Sequence, residues 1–166
     1  MKIRYSNLFA HIQRLAVALT SLTILISVNS YSQVLDSTFG IDGIVTISIE
    51  ERKTHPDFLE LLNDESIIVG LNTSYSLYGA LFDQGFYIYK LKTDGSIDTS
   101  FGSNGYYYQT SGNPNNYDYY SEILSLVFNP IDNHIYVLAN VISSLKLFKI
   151  DINGVLNTNF GINGYV

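Results

Sequence analysis

Three segments of this chain repeat one another, and no other feature limits the possible folds as much. They are Leu35-Asp-Ser-Thr-Phe-Gly-Ile-Asp-Gly-Ile-Val45, Ile97-Asp-Thr-Ser-Phe-Gly-Ser-Asn-Gly-Tyr-Tyr107 and Leu156-Asn-Thr-Asn-Phe-Gly-Ile-Asn-Gly-Tyr-Val166. Their Phe-Gly pairs start at Phe39, Phe101 and Phe160, so the period is 62 and then 59 residues. The match extends upstream, where Tyr89-Lys-Leu-Lys-Thr-Asp-Gly95 aligns with Phe148-Lys-Ile-Asp-Ile-Asn-Gly154 at the offset of 59. A period of this length marks an architecture in which each repeat is one supersecondary unit.

The residues between the motifs read as short strands. Gly43–Ile49 alternates with β-branched residues and is expected to be strand one of the first unit. Phe58–Leu62, Ser66–Gly70 and Gly85–Leu91 supply strands two to four. The second unit repeats the order with Tyr106–Gln109, Ile123–Phe128, His134–Ala139 and Leu145–Ile150. In strand four, Phe86 and Ile88 lie on one face and Tyr87, Tyr89 and Leu91 on the other. The second unit offers Leu145 and Leu147 against Phe148 and Ile150, with Lys146 in place of Tyr87. Apolar residues on both faces imply a sheet covered on both sides, which requires units to stack. No stretch beyond residue 32 has a helical period. The expected class is all-β: four-stranded antiparallel units resembling propeller blades, about two of them and the start of a third.

The Leu-Asp-x-x-Phe-Gly-x-x-Gly core resembles the delta-60 repeat family, whose units carry (V/L)D-x-x-F-G-x-x-G about every sixty residues. The resemblance covers nearly all of the chain after residue 32. Where that family places an Asp-Gly-Lys turn, this chain has Asn63-Asp-Glu-Ser66 and Asp132-Asn-His134. The resemblance implies a bacterial secreted or surface β-repeat protein, often one of a long array, and no particular enzyme activity. It divides the chain into residues 33–95, 96–154 and 155–166, a third unit only begun. On this reading the sequence is a piece of a longer array, or completes itself by assembly or as an incomplete open sheet.

The N-terminus reads as an export signal. Lys2, Arg4 and Arg14 precede the apolar run Leu15–Val28, and Ser30 and Ser32 form a small-residue pair before Gln33. Residues 1–32 are therefore expected to be removed. The run is 14 residues long, short of the roughly 20 that span a bilayer, so no membrane span is expected after cleavage. Removal takes only basic charge: the formal net charge moves from −6 to −9 over the remaining 134 residues. That balance argues against nucleic acid as a partner. With no cysteine in the chain, a disulfide framework, a thiolate metal site and a cysteine nucleophile are all excluded.

The motif concentrates carboxylates and amides beside glycines, and Asp94 with Asp98 could offer oxygens to calcium. The repeats provide an internal comparison. Asp36, Asp98 and Asn157 are equivalent, as are Asp42, Asn104 and Asn163, and Asp94 and Asn153. Asn replaces Asp at every one of these places. A side-chain oxygen bonding nearby backbone, with tolerance of positive φ, is open to both residues. A general acid, a base or a charge-dependent metal ligand is not. Phe39, Phe101 and Phe160 then read as buried anchors. Gly40, Gly102 and Gly161 allow the turn, and Gly43, Gly105 and Gly164 the return to a strand. Asp94-Gly95 and Asn153-Gly154 suit hairpin turns with positive φ at both positions. The glycine spacing fits neither a dinucleotide fingerprint nor a P-loop, and no cofactor is expected.

Catalytic patterns are lacking. His55 precedes Pro56 in what reads as a polar loop, and His134 starts a strand. No His-x-x-x-His or Gly-x-Ser-x-Gly occurs. Glu50-Glu-Arg-Lys53 reads as a solvated turn rather than a facing carboxylate pair. The long connections offer a binding surface instead. Asn113–Tyr120 includes Tyr117, Tyr119 and Tyr120, and Asn72–Gly79 is its first-unit counterpart. Tyr among Asn and Ser suits contact with an extracellular glycan or a surface protein. The expected function is an exported scaffold or binding module without catalysis of its own. Its partners would be such a ligand, further repeat units or a second copy. The alternative is a non-catalytic part of a larger secreted enzyme or propeller-type hydrolase or lyase.

Overall fold

A computed structural model describes residues 35–49, 52–77, 80–110 and 120–166. The signal region falls outside them. Seven strands form two antiparallel sheets, and no helix occurs among the described residues. Sheet one holds β1 (Arg52–Leu61), β2 (Ile67–Leu77), β3 (Ala80–Leu91) and β4 (Tyr106–Thr110) in sequence order. Sheet two holds β5 (Ser121–Asn129), β6 (His134–Val141) and β7 (Ser144–Asp151). The all-β expectation agrees with this architecture.

Five local expectations need correction. Among the described residues Gly43–Ile49 joins no ladder, and its one pairing is the bridge Ile41–Ile44 inside its own turn. Alternation qualifies a segment to be a strand, but a ladder also needs a neighbour. Tyr106–Gln109 does form a strand, yet as β4 it pairs with β3 of the preceding stretch rather than opening a new sheet. His55 and Pro56 lie within β1, not in a loop, and Asn72–Leu77 lies within β2. Proline is tolerated because β1 is an edge strand and a bulge follows between Pro56 and Phe58. Arg52 and Lys53 likewise begin β1.

The main core lies between the sheets. Ile68, Phe86 and Ile88 of sheet one pack in one cluster with Ile123, Val137 and Phe148 of sheet two. The Phe86 and Phe148 rings meet edge-on at 6.2 Å. A second cluster covers the other side of sheet one, where Val45, Ile47 and Ile49 lie against Val69, Leu71, Tyr87, Tyr89 and Leu91. Strand four of the first stretch is thus covered on both faces, as its apolar pattern requires. The outer face of sheet two, the counterpart of the Phe86 face of sheet one, leaves Leu145 67% exposed.

Candidate functional site

The repeated motifs build the same turn three times. In each, the Phe amide donates to the carbonyl three residues earlier: Phe39 to Asp36, Phe101 to Asp98 and Phe160 to Asn157, all at 3.0 Å. The side-chain Oδ1 of that Asp or Asn accepts an amide two residues on, from Thr38 at 2.9 Å, Ser100 at 3.1 Å and Asn159 at 3.1 Å. This bond needs an oxygen and no charge, which accounts for the exchange of Asp for Asn. Asp42, Asn104 and Asn163 all stand at positive φ, between 53° and 56°, where Asn and Asp are tolerated best among residues with a side chain. Gly40, Gly102 and Gly161 are at positive φ too, and a Cβ on any of them would lie within 2.4 Å of a backbone oxygen. Only glycine fits.

The third pair behaves otherwise. At these two turns positive φ is confined to Gly95 and Gly154, while Asp94 and Asn153 stay outside it. The turn closes with Gly95 N–H donating to the Lys92 carbonyl at 2.9 Å, a turn followed by a glycine bulge rather than a two-residue hairpin. Asp94 Oδ1 accepts the Ser96 amide, whereas the matching Val155 amide bonds Asp151 Oδ1. Asp151 stands where the first stretch has Lys92, so a nearer carboxylate takes over.

The first two motifs also hold on to a neighbouring turn. Gly40 N–H donates to the Asp94 carbonyl and Gly102 N–H to the Asn153 carbonyl, both at 2.7 Å. Phe101 is completely buried between the sheets, while Phe39 and Phe160 are half-buried. Phe160 rests edge-on against Tyr136 at 6.0 Å. The expectation of three buried anchors therefore holds in full for Phe101 alone. The difference lies in the covering: sheet two closes over the second motif.

Several of the acidic side chains are engaged locally. Hydroxyl donors hold their carboxyls below the usual carboxylate range: Thr38 for Asp36, Ser66 for Asp64, Ser96 for Asp94 and Ser100 for Asp98. Lys90, nearly buried, lies 3.4 Å from Asp64 and 3.8 Å from Asp98. Asp132 takes the Tyr136 hydroxyl at 2.6 Å and Lys149 at 3.0 Å; these two donors, the hydroxyl foremost, pull its carboxyl down. His134 Nδ1 lies 2.5 Å from the Asp132 carbonyl oxygen. His55 pairs across the ladder with Asn72, away from His134. No group of three or more His, Asp or Glu able to hold a metal occurs among the described residues.

Of the proposed binding loop, Tyr117 and Tyr119 lie outside the described residues. Tyr120 does not project freely: its hydroxyl accepts from Asn140 Nδ2 at 2.8 Å and its carbonyl from the Ile142 amide. Two features escaped the sequence reading. Asn72 clamps the sheets together, its Oδ1 accepting the Ile123 amide at 2.7 Å and its Nδ2 donating to the Ile123 carbonyl at 3.2 Å. Tyr87, Tyr89, Tyr106 and Tyr108 form one aromatic cluster, with Tyr87 and Tyr108 stacked at 4.3 Å. The alternation of Tyr along β3 and β4 was the available signal for the cluster. No family model, curated protein or solved structure matches the chain.

Proposed function

We propose that this chain is an exported β-repeat scaffold, secreted or held at a bacterial cell surface, that presents a binding surface and performs no chemistry of its own. Residues 1–32 act as the export signal. The two sheets are successive blades of a propeller-like stack; the sequence units 33–95 and 96–154 are offset from them, because Tyr106–Thr110 of the second unit completes sheet one, and residues 155–166 open the next unit. One observation carries the reading: equivalent Asp and Asn make the same side-chain bond to backbone, so the polar residues that recur serve the turn. A repeat whose fixed elements serve its own frame leaves recognition to the connections between strands. The ligand class that suits Tyr with Asn and Ser is an extracellular glycan or a surface protein.

Expression from the full gene in an exporting host tests the address. The expected result is a product outside the inner membrane whose N-terminus is Gln33. A product retaining Leu15–Val28 in the cytoplasm contradicts it. Binding is tested on glycan and surface-protein arrays with the exported chain and a variant lacking residues 113–120. Loss of a signal on deletion supports the loop as the site, and an unchanged signal removes it.

A further inference from the structure

Tyrosine is the side chain of this protein that gives up an electron most readily. The sequence holds 14 tyrosines, no tryptophan, no cysteine and a single methionine, Met1. Thiols and thioethers are the usual sinks for oxidants, and beyond Met1 the chain has neither. An electron withdrawn from it therefore leaves its hole on a phenol. Four of these phenols sit together on the back of sheet one. Tyr87 and Tyr89 belong to β3, Tyr106 and Tyr108 to β4, and the ladder sets Tyr87 directly opposite Tyr108 and Tyr89 directly opposite Tyr106. Side chains placed so start from Cβ atoms about 4.5–5.5 Å apart.

Ring geometry singles out one pair. Tyr87 and Tyr108 stack at 4.3 Å with 27° between their planes. Tyr89 and Tyr106 are 5.4 Å apart and tilted by 47°, and Tyr87 meets Tyr106 edge-on at 5.2 Å. Tyr87 and Tyr89 lie 6.0 Å apart along one strand. Stacked neighbours rising from one face keep the ring carbons beside their oxygens within reach of each other, which an edge-on contact does not. Val45, Ile47 and Ile49 lie against the same cluster. Tyr87 and Tyr89 are buried there, and Tyr106 and Tyr108 half-buried. An oxidant thus reaches the outer pair, while a radical passed inward meets a second phenol rather than water.

We infer that Tyr87 and Tyr108 are a site of oxidative cross-linking, at which hydrogen peroxide, acting through a haem peroxidase, joins β3 to β4 by a dityrosine bond. Each phenol gives up one electron and its hydroxyl proton. The two phenoxyl radicals form a carbon–carbon bond between ring positions ortho to oxygen, and the proton on each of those carbons then moves to the oxygen. The two electrons and two protons pass to one hydrogen peroxide, which leaves as two waters. In a chain without cysteine, this bond does what a disulfide does elsewhere: it closes the loop between residues 87 and 108 and fixes the strand after the second motif to its sheet. The bond goes beyond the scaffold reading and does not depend on it, since a chain that fails to link can still be exported and bind a ligand.

Treatment of the dilute chain with hydrogen peroxide and a haem peroxidase tests the site. The expected product has the mass of a single chain less two hydrogen atoms, dityrosine fluorescence, and a linked peptide whose fragments place the bond between Tyr87 and Tyr108. Tyr108→Phe keeps the stacked ring without its hydroxyl and should lose that linked peptide. Tyr107→Phe, one residue along and on the opposite face, should keep it. Far-UV circular dichroism checks that the variants fold, and Tyr87→Phe replaces Tyr108→Phe if that variant does not. Coupling of N-acetyltyrosine in a parallel reaction shows the oxidant to be active. A chain that stays unlinked under those conditions overturns the inference. So does a bond between other tyrosines with none between Tyr87 and Tyr108, or a Tyr108→Phe chain whose β3 and β4 peptides link as fully as before.

Discussion

Phe101 and Phe160 occupy the same place in their motifs and make the same amide bond to Asp98 and Asn157. What lies beyond them differs. Sheet two covers Phe101 completely, and the Gly102 amide beside it reaches the Asn153 carbonyl. Phe160 has Tyr136 on one side, and the Gly161 amide has no such acceptor among the described residues. The local turn forms without a covering sheet, so it is encoded in the motif itself. Burial of the anchor is not; that depends on the next sheet.

The largest effect should come from this pair of phenylalanines. Phe101→Ala removes a fully enclosed ring and should cost about 3–5 kcal/mol in denaturant unfolding, whereas Phe160→Ala should cost ~1 kcal/mol. Equal losses would break the contrast. The asparagines at matching ladder places come next. Asn72 joins the sheets by two bonds to Ile123, while among the described residues the Asn140 side chain reaches the Tyr120 hydroxyl alone. Asn72→Ala should cost about 1–3 kcal/mol, since it strands a buried amide and carbonyl, and Asn140→Ala less than about 1 kcal/mol.

Tyr107 and Val166 follow the second and third motifs at the same place, and only Tyr107 titrates. Burial pushes its hydroxyl up to about 12. The folded state therefore keeps a proton that the unfolded chain gives up near pH 10, and stability contributed below pH 10 is lost as pH rises toward 12. Tyr107→Phe should flatten that part of the curve of unfolding free energy against pH. An unchanged slope would place Tyr107 in a wetter setting than the core between the sheets.

Much of this was legible in the sequence because the motif is its own control. The Asp-to-Asn exchanges at residues 36, 98 and 157 pointed to a bond that needs oxygen alone, and the turns contain that bond. The strands β5, β6 and β7 follow their alternation closely. What escaped the reading depends on neighbours. Gly43–Ile49 has the composition of a strand and no partner to make it one, and Tyr106–Thr110 completes the sheet before it. Asn72 looked like loop because Asn, Thr, Ser and Tyr in a row favour turns, yet the pairing of Thr73 with Gly85 carries β2 through it. Nothing local marks Asn72 as a clamp, since its partner lies 51 residues away.

The smallest expected effect tests the central claim most directly, that the recurring acidic residues serve the turn and not a charge-dependent chemistry. Thermal unfolding of the double variant Asp36→Asn, Asp98→Asn should be compared with Asp36→Ala, Asp98→Ala. Lys90 keeps Asp64 as a partner in both. The Asn variant should melt within about 1 °C of the unaltered chain, and the Ala variant about 3–6 °C lower, as loss of two side-chain bonds to backbone requires. An Asn variant that falls as far as the Ala variant would contradict the account.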